Sequence, residues 1–305
     1  MRAEGNADRN AAKQADRNAG KKADRSIGVV VLARLTALTT LTLLAALTGC
    51  GVGDGGPASI ADKHALVIGV DDDQPGLGTK LPGGAVQGFD VDVATYVAGR
   101  LRVPTNKITF RPIRKDRRDA VLRDGSVDML LATYSITPER RAMVTFAGPY
   151  YVAHQDILVR DGNTSIKNVR DLSGKHLCHV TGSFSWERVT EERGIPGVRG
   201  VPAGSYRECA TMLTKGEVDA VATDDLILAG FATEIGSRVK LVNAPFNDER
   251  YGIGLRKGDL KGCEAVNKAL IEMYQSGAAA TMLERWFGSV GLRVNTNVPQ
   301  FEGCA

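Results

Sequence analysis

Short apolar runs alternating with amphipathic segments constrain this chain more than any other feature. The run 64–70 (His-Ala-Leu-Val-Ile-Gly-Val) has the length and content of a buried strand. It ends at Asp71-Asp72-Asp73-Gln74-Pro75-Gly76, a turn signal. From Gly88 to about Leu101, the residues Val91, Ala94, Val97 and Ala98 share one helical face, with Asp90 as the expected N-cap. Strands are expected over 108–113 and 127–132, with a helix over 117–123 between them. Thr137-Pro138-Glu139 then opens a helix: a hydroxyl cap, a proline at the first position and an acid in the first turn. Strand and helix in alternation imply an open, mainly parallel sheet.

The pattern repeats. Strands are expected over 157–159, 175–180, 218–223 and 252–255. Helices are expected over 168–172, 205–215, 261–275 and 278–287, with Gly216 stopping the second of these. The chain therefore reads as two α/β lobes, 60–154 and 155–249, with 250–305 returning to the first. Two lobes joined by two strands enclose a cleft, and small ligands bind where loops at strand ends converge.

The N-terminus is of another kind. Residues 1–26 are polar, with Ala-Asp-Arg recurring at Ala7, Ala15 and Ala23, and cannot build a core. An apolar run over 27–47 follows, broken by Arg34 and scattered threonines, and ends in Leu47-Thr48-Gly49-Cys50. Small residues before a cysteine, after such a run, look like a bacterial lipoprotein signal. On that reading 1–49 is removed, Cys50 carries lipid, and 50–59 is a glycine-rich tether to the membrane. The alternative is a retained membrane helix. Residues 1–49 also hold eight Lys/Arg and four acids, so the net charge of +4 resides there and the rest is neutral. A nucleic-acid partner needs a basic domain, not a basic leader.

Outside the membrane the compartment is oxidising, and Cys178, Cys209, Cys263 and Cys304 suggest two disulfides. Three pairings exist; Cys178–Cys209 with Cys263–Cys304 keeps each bridge inside one lobe. A metal site of His176, Cys178 and His179 is the competing use, against the usual ligand spacing.

Three places can carry recognition. Thr133-Tyr134-Ser135 lies between a strand end and a helix N-terminus, which offers free N–H groups. Ser135 adds a hydroxyl there, and Arg140 a planar fork suited to a carboxylate; otherwise Arg140 pairs with Glu139 or solvent. Thr181-Gly182-Ser183 occupies the matching place in the second unit, or is an ordinary capped turn. Asp224, after a buried strand, can hold an ammonium or cap the next helix. Phe184 and Trp186 either line a cleft or read as core or rim. No nucleophile elbow, P-loop or His-Glu-x-x-His motif is present in the sequence.

Several motifs, in order, resemble a known family: Gly88-Phe89-Asp90-Val91-Asp92, Val127-Asp128-Met129, Ser135-Ile136-Thr137-Pro138-Glu139-Arg140, Phe146-Ala147-Gly148-Pro149-Tyr150-Tyr151, Asp171-Leu172-Ser173-Gly174-Lys175, Asp224 and Tyr251-Gly252-Ile253-Gly254. They are similar to extracellular solute-binding proteins of family 3, the polar amino-acid receptors of ABC importers. Gln74-Pro75-Gly76-Leu77-Gly78, the segment 223–230 and the segment 249–255 look like the glutamate-binding lipoproteins of actinobacteria. The resemblance implies a two-lobed α/β fold of the periplasmic-binding-protein type II class, with two hinge crossings.

The resemblance also implies roles. Arg140 and Ser135, helped by the turn at Thr181 and Ser183, would hold an α-carboxylate. Asp224 and the Thr133 carbonyl would hold the α-ammonium, and Arg118 a side-chain carboxylate. It implies a monomeric, lipid-anchored receptor on the outer face of the membrane, without a cofactor. The receptor would pass glutamate, or else aspartate or glutamine, to an ABC permease and its ATPase. Two departures stand against the pattern: Asp72 and Asp73 replace an aromatic residue, and Val180 replaces a lysine. Rival readings are a cyclohexadienyl dehydratase-like enzyme on the same fold, and a sensor or adhesin uncoupled from transport.

Overall fold

A computed structural model describes residues 58–289, 292 and 294–304. The signal segment, Cys50 and most of the tether lie outside the described residues. Twelve strands are described: β1 (Leu66–Val70), β2 (Asp73–Gln74), β3 (Gly78–Lys80), β4 (Val86–Gln87), β5 (Ile108–Pro112), β6 (Met129–Leu131), β7 (Val144–Arg160), β8 (His176–Val180), β9 (Arg199–Ala203), β10 (Ala220–Asp224), β11 (Val239–Leu241) and β12 (Asn247–Arg256). Eight α-helical segments accompany them: α1 (Phe89–Arg100), α2 (Arg118–Arg123), α3 (Pro138–Met143), α4 (Ser185–Glu187), α5 (Tyr206–Lys215), α6 (Asp225–Ile235), α7 (Leu260–Gln275) and α8 (Ala278–Phe287).

The main sheet runs β5-β1-β6-β12-β7-β10-β8-β9, with β11 also paired to β7. On one side β5, β1 and β6 are parallel; on the other β10, β8 and β9 are parallel. Between the two trios, β7 and β12 pair antiparallel and pass from one to the other. This is the two-lobed layout with two crossings. The inner strands β1, β6 and β10 are buried on both faces, as helices packed on both sides of a parallel sheet require, whereas the edge strands β5 and β9 are largely exposed. Four aromatic rings brace the crossing: Phe89, Tyr150, Tyr151 and Tyr251, with centroids 5.9–6.2 Å apart.

Local signals explain most element ends. Thr137 caps α3 through its side chain, with Pro138 in the first turn. Gly216 closes α5 at φ +81°. The cap of α1 is Gly88, not Asp90: at φ +143°, an added Cβ would sit 2.0 Å from the Leu77 carbonyl oxygen. Asp90 instead turns inward and is fully buried. The strand expected over 157–159 is the end of the 17-residue β7.

Cys178 bonds to Cys209, tying β8 to α5, and Cys263 bonds to Cys304, tying α7 to the C-terminal tail. The metal alternative thereby loses its thiolate, and His179 stacks on Trp186 at 5.2 Å. Among the described residues, no helix is long and apolar enough to cross a membrane.

Candidate functional site

Past β6 the chain enters Thr133, which has a φ of +46°. That conformation is rare for a β-branched residue and is held from outside. Asp90 accepts the Thr133 N–H at 2.9 Å with one carboxylate oxygen and the Tyr150 hydroxyl at 2.7 Å with the other. Burial pushes the Asp90 carboxyl up to about 6.

Two residues on, the Ser135 carbonyl accepts from Arg140 Nη1 at 2.8 Å, folding the guanidinium back over its own helix start. Arg140 is buried, lying 4.7 Å from the Tyr134 ring centroid and 4.6 Å from that of Phe184. Arg118 is buried beside it, 4.9 Å from the Tyr134 ring. Its Nε donates to the Lys115 carbonyl at 3.1 Å, and its Nη1 to those of Ala132 and Thr133 at 3.0 and 3.2 Å. The two arginines converge on one atom of the opposite lobe: the Gly182 carbonyl accepts from Arg118 Nη2 at 2.7 Å and from Arg140 Nη2 at 3.1 Å. Among the described residues, no carboxylate accepts a hydrogen bond from either guanidinium. Burial, then the charge of Arg118, pushes the Arg140 pKa down. Cations in that position gain strongly from an anionic partner.

The opposite wall comes from β7, the turn after β8, β10 and the starts of α4, α5 and α6. Asp224 stands at the N-cap position of α6 without capping it. Its carboxylate accepts from Tyr251 Oη at 2.6 Å and from Gln155 Nε2. Burial, then the charge of Glu249, pushes the Asp224 carboxyl up to about 8. Ser183 Oγ bonds with Tyr206 Oη, and Ser185 Oγ donates to Thr223 Oγ1 at 3.0 Å. Together Lys115, Arg118, Thr133, Ser135, Gln155, Ser183, Phe184, Ser185, Tyr206, Thr223, Asp224 and Ile227 line a narrow cleft of about 10 Å³, whose walls must part to admit an amino acid.

The structure thus brings Arg118, Thr133, Ser135, Ser183 and Asp224 to one cleft, with Arg140 reaching its edge through Gly182. Thr181 is exposed and outside it, because β8 ends at Val180 and the turn at Gly182 (φ +81°) leaves its side chain on the rim. The Thr133 carbonyl accepts from Arg118, so an ammonium would share that oxygen with a cation. Asp72 and Asp73 are absent from the lining. Phe184 lines the cleft, whereas Trp186 packs on the second-lobe core.

Sequence reasoning passed over Lys115, Gln155 and Tyr206. Lys115 is buried; its Nζ is 3.2 Å from Asp71 Oδ2 and 3.1 Å from Thr133 Oγ1. Burial pushes the lysine pKa down against the pull of Asp71. The Asp71 carboxyl is pushed up by burial, but Lys115 and bonds from Asp73 hold it below the usual range. A wider groove lies elsewhere, lined by Arg141, Val152, Asp248, Arg250, Gln300, Phe301 and Glu302. Its charges are matched within the groove, Glu302 pairing with both Arg141 and Arg250.

Comparison with known proteins points the same way. The family model for bacterial extracellular solute-binding proteins, family 3, matches residues 66–289. The glutamate-binding protein GluB of Corynebacterium efficiens is 36% identical over 280 residues, covering 87% of this chain and 95% of that protein. The ABC transporter glutamine-binding protein GlnH of Bacillus subtilis is 33% identical, covering 82% of this chain and 95% of that protein. Among solved structures, an ancestral arginine-binding protein bound to arginine superposes with a TM-score of 0.68 at 35% identity, covering 74% of this chain and 99% of that one.

Proposed function

The chain belongs to family 3 of the bacterial extracellular solute-binding proteins, and from that premise we propose that it is the amino-acid receptor of an ABC importer, with glutamate as its ligand. One observation carries the choice of ligand. Among the described residues, two buried guanidiniums with no carboxylate bonded to them stand across the cleft from the carboxyl of Asp224, while the buried Lys115 is balanced by Asp71 behind it. That balance of charge suits two carboxylates and one ammonium.

In this reading Arg140 and Ser135 take the α-carboxylate, with Ser183 closing from the other side. Asp224 takes the ammonium, and Arg118 lies beneath the side chain. The lobes are 60–154 with 250–305, and 155–249, hinged at β7 and β12. Ligand binding favours the closed arrangement only through contacts that the open one lacks. Cys50 anchors the receptor in the membrane by lipid, and a permease reads the closed shape. Mass spectrometry of the membrane-extracted protein should find a lipid-modified N-terminal Cys50; an unprocessed N-terminus would refute the anchor.

A dehydratase on the same fold has one observation in its favour, the buried carboxyl of Asp224 with its raised pKa. Both of its oxygens, however, already accept hydrogen bonds, from Gln155 and Tyr251, and no second carboxyl or histidine among the cleft-lining residues stands beside it as a partner acid or base.

Calorimetric titration with the twenty amino acids and prephenate tests the proposal. Glutamate should bind most tightly, and prephenate should be left unchanged. A folded protein that binds no amino acid would sink the receptor reading and favour a sensor or adhesin.

A further inference from the structure

The acid at the end of β1 stands behind the cleft rather than in it. Asp71 is buried and absent from the lining, whereas Lys115 lines the cleft. The lysine ammonium bridges Asp71 Oδ2 at 3.2 Å and Thr133 Oγ1 at 3.1 Å, and lies 5.4 Å from the Tyr206 ring centroid. A bare carboxylate in this place would draw a cationic ligand side chain and repel an anionic one. With the lysine in front of it, the ligand meets a cation.

Arg118 is committed elsewhere. Four of its five N–H donors go to the carbonyls of Lys115, Ala132, Thr133 and Gly182, leaving one Nη2 hydrogen. The bond to the Lys115 carbonyl fixes the turn that delivers the lysine. Lys115 keeps a third N–H beyond its two bonded partners.

We infer that Lys115 sets the charge preference of the side-chain subsite: it screens Asp71 and receives the side-chain carboxylate of an acidic amino acid. This rests on the receptor reading above. It moves the role of side-chain ligand from Arg118, which becomes a positioning residue, to the lysine. It also makes the Asp71–Lys115 pair a selectivity switch, because removing the lysine exposes an acid that favours basic side chains.

The purified chain, K115M, D71N and D71N/K115M are titrated with glutamate, glutamine and arginine at neutral pH, with circular dichroism as a folding check. Wild type and D71N should prefer glutamate to glutamine. K115M should lose about 10- to 100-fold in glutamate affinity, the usual worth of a charge-assisted bond, keep glutamine within a few-fold and gain arginine. K115M leaves a lone buried acid and could unfold. D71N/K115M removes both charges; it should lose the preference for glutamate over glutamine without gaining arginine. Unchanged glutamate affinity in either lysine variant overturns the inference, as does equal loss of glutamine. So does a wild type that binds amino acids but prefers glutamine or arginine. A wild type that binds none of the three fails the receptor reading instead.

Discussion

Burial raises the Asp224 carboxyl in the cleft, and a bound ammonium would favour loss of its proton. Its carboxyl is pushed up to about 8, chiefly by burial, from an ordinary value near 3.8. The folded state therefore holds a proton that the unfolded state releases. The stability this group lends is complete below its unfolded pKa and is lost as pH rises through about 8. Ligand affinity should move the other way. Between pH 6 and 8, binding an ammonium requires the carboxylate, so Kd should fall by up to about tenfold per pH unit, with release of up to one proton. Titration in buffers of different ionisation enthalpy counts that proton, and D224N should abolish both the slope and the release. A pH-independent Kd in the wild type would show that Asp224 does not face the ammonium. The position of Asp224 was legible in the sequence, since an acid at a strand end has few places to go. So were Ser135 and Arg140, set by a capped helix start. Lys115 was not. It lies in the run Arg114-Lys115-Asp116-Arg117-Arg118, which reads as a solvated charge cluster. Its approach to Asp71, 44 residues away, and to Thr133 and the Tyr206 ring buries it.

The turn between β8 and α4 is the piece that crosses the cleft. At Gly182 (φ +81°) an added Cβ would lie 2.7 Å from the Asp116 nitrogen, and the Gly182 carbonyl takes both arginines. G182A should therefore penalise the closed arrangement while leaving each lobe intact. The overlap with Asp116 should cost about 10- to 100-fold in ligand affinity, while the positive φ strains an alanine in the ligand-free fold as well, at about 1–3 kcal/mol, so the melting temperature should also fall by about 2–10 °C. Calorimetry with a thermal melt separates the two, and an unchanged Kd would mean that the turn does not approach Asp116 in the bound state. Elements that announce themselves by period and caps, such as α1, α5, α7 and α8, were legible to within a few residues. The long crossing strand β7 was not. Gly148-Pro149 interrupts its pattern, and the Gly148 N–H leaves the ladder for Asn267 Oδ1 at 2.7 Å. The register against β12 shifts at the same place, between Tyr251 and Ile253. The hairpin β2–β3–β4 was equally hidden, because strands of two or three residues carry no period to read.

The two bridges act on different parts of the molecule, although both close loops of similar length. Cys178–Cys209 spans 31 positions and joins a central strand to its covering helix. Cys263–Cys304 spans 41 and fastens the tail, which then lies along the crossing strands. The Glu302 N–H donates to the Gly148 carbonyl at 3.1 Å, the Glu302 carboxylate pairs with Arg250 of β12, and the Asn295 N–H donates to Tyr151 Oη at 3.3 Å. Loops of this size contribute about 4 kcal/mol each in the chain-entropy account. C178S/C209S removes that restraint from a buried pair inside one lobe, so the whole contribution should be lost. For a chain of this size the melting temperature should fall by about 10 °C. C263S/C304S has a partial substitute, since the hydrogen bonds and ion pairs of the tail persist. It should lose less in melting temperature but show faster hydrogen exchange at the tail and at Gly148. Calorimetry and hydrogen exchange on the two variants test the division. Equal losses in melting temperature, or no loss in C178S/C209S, would mean that loop closure in the second lobe is not what holds β8 and α5 together.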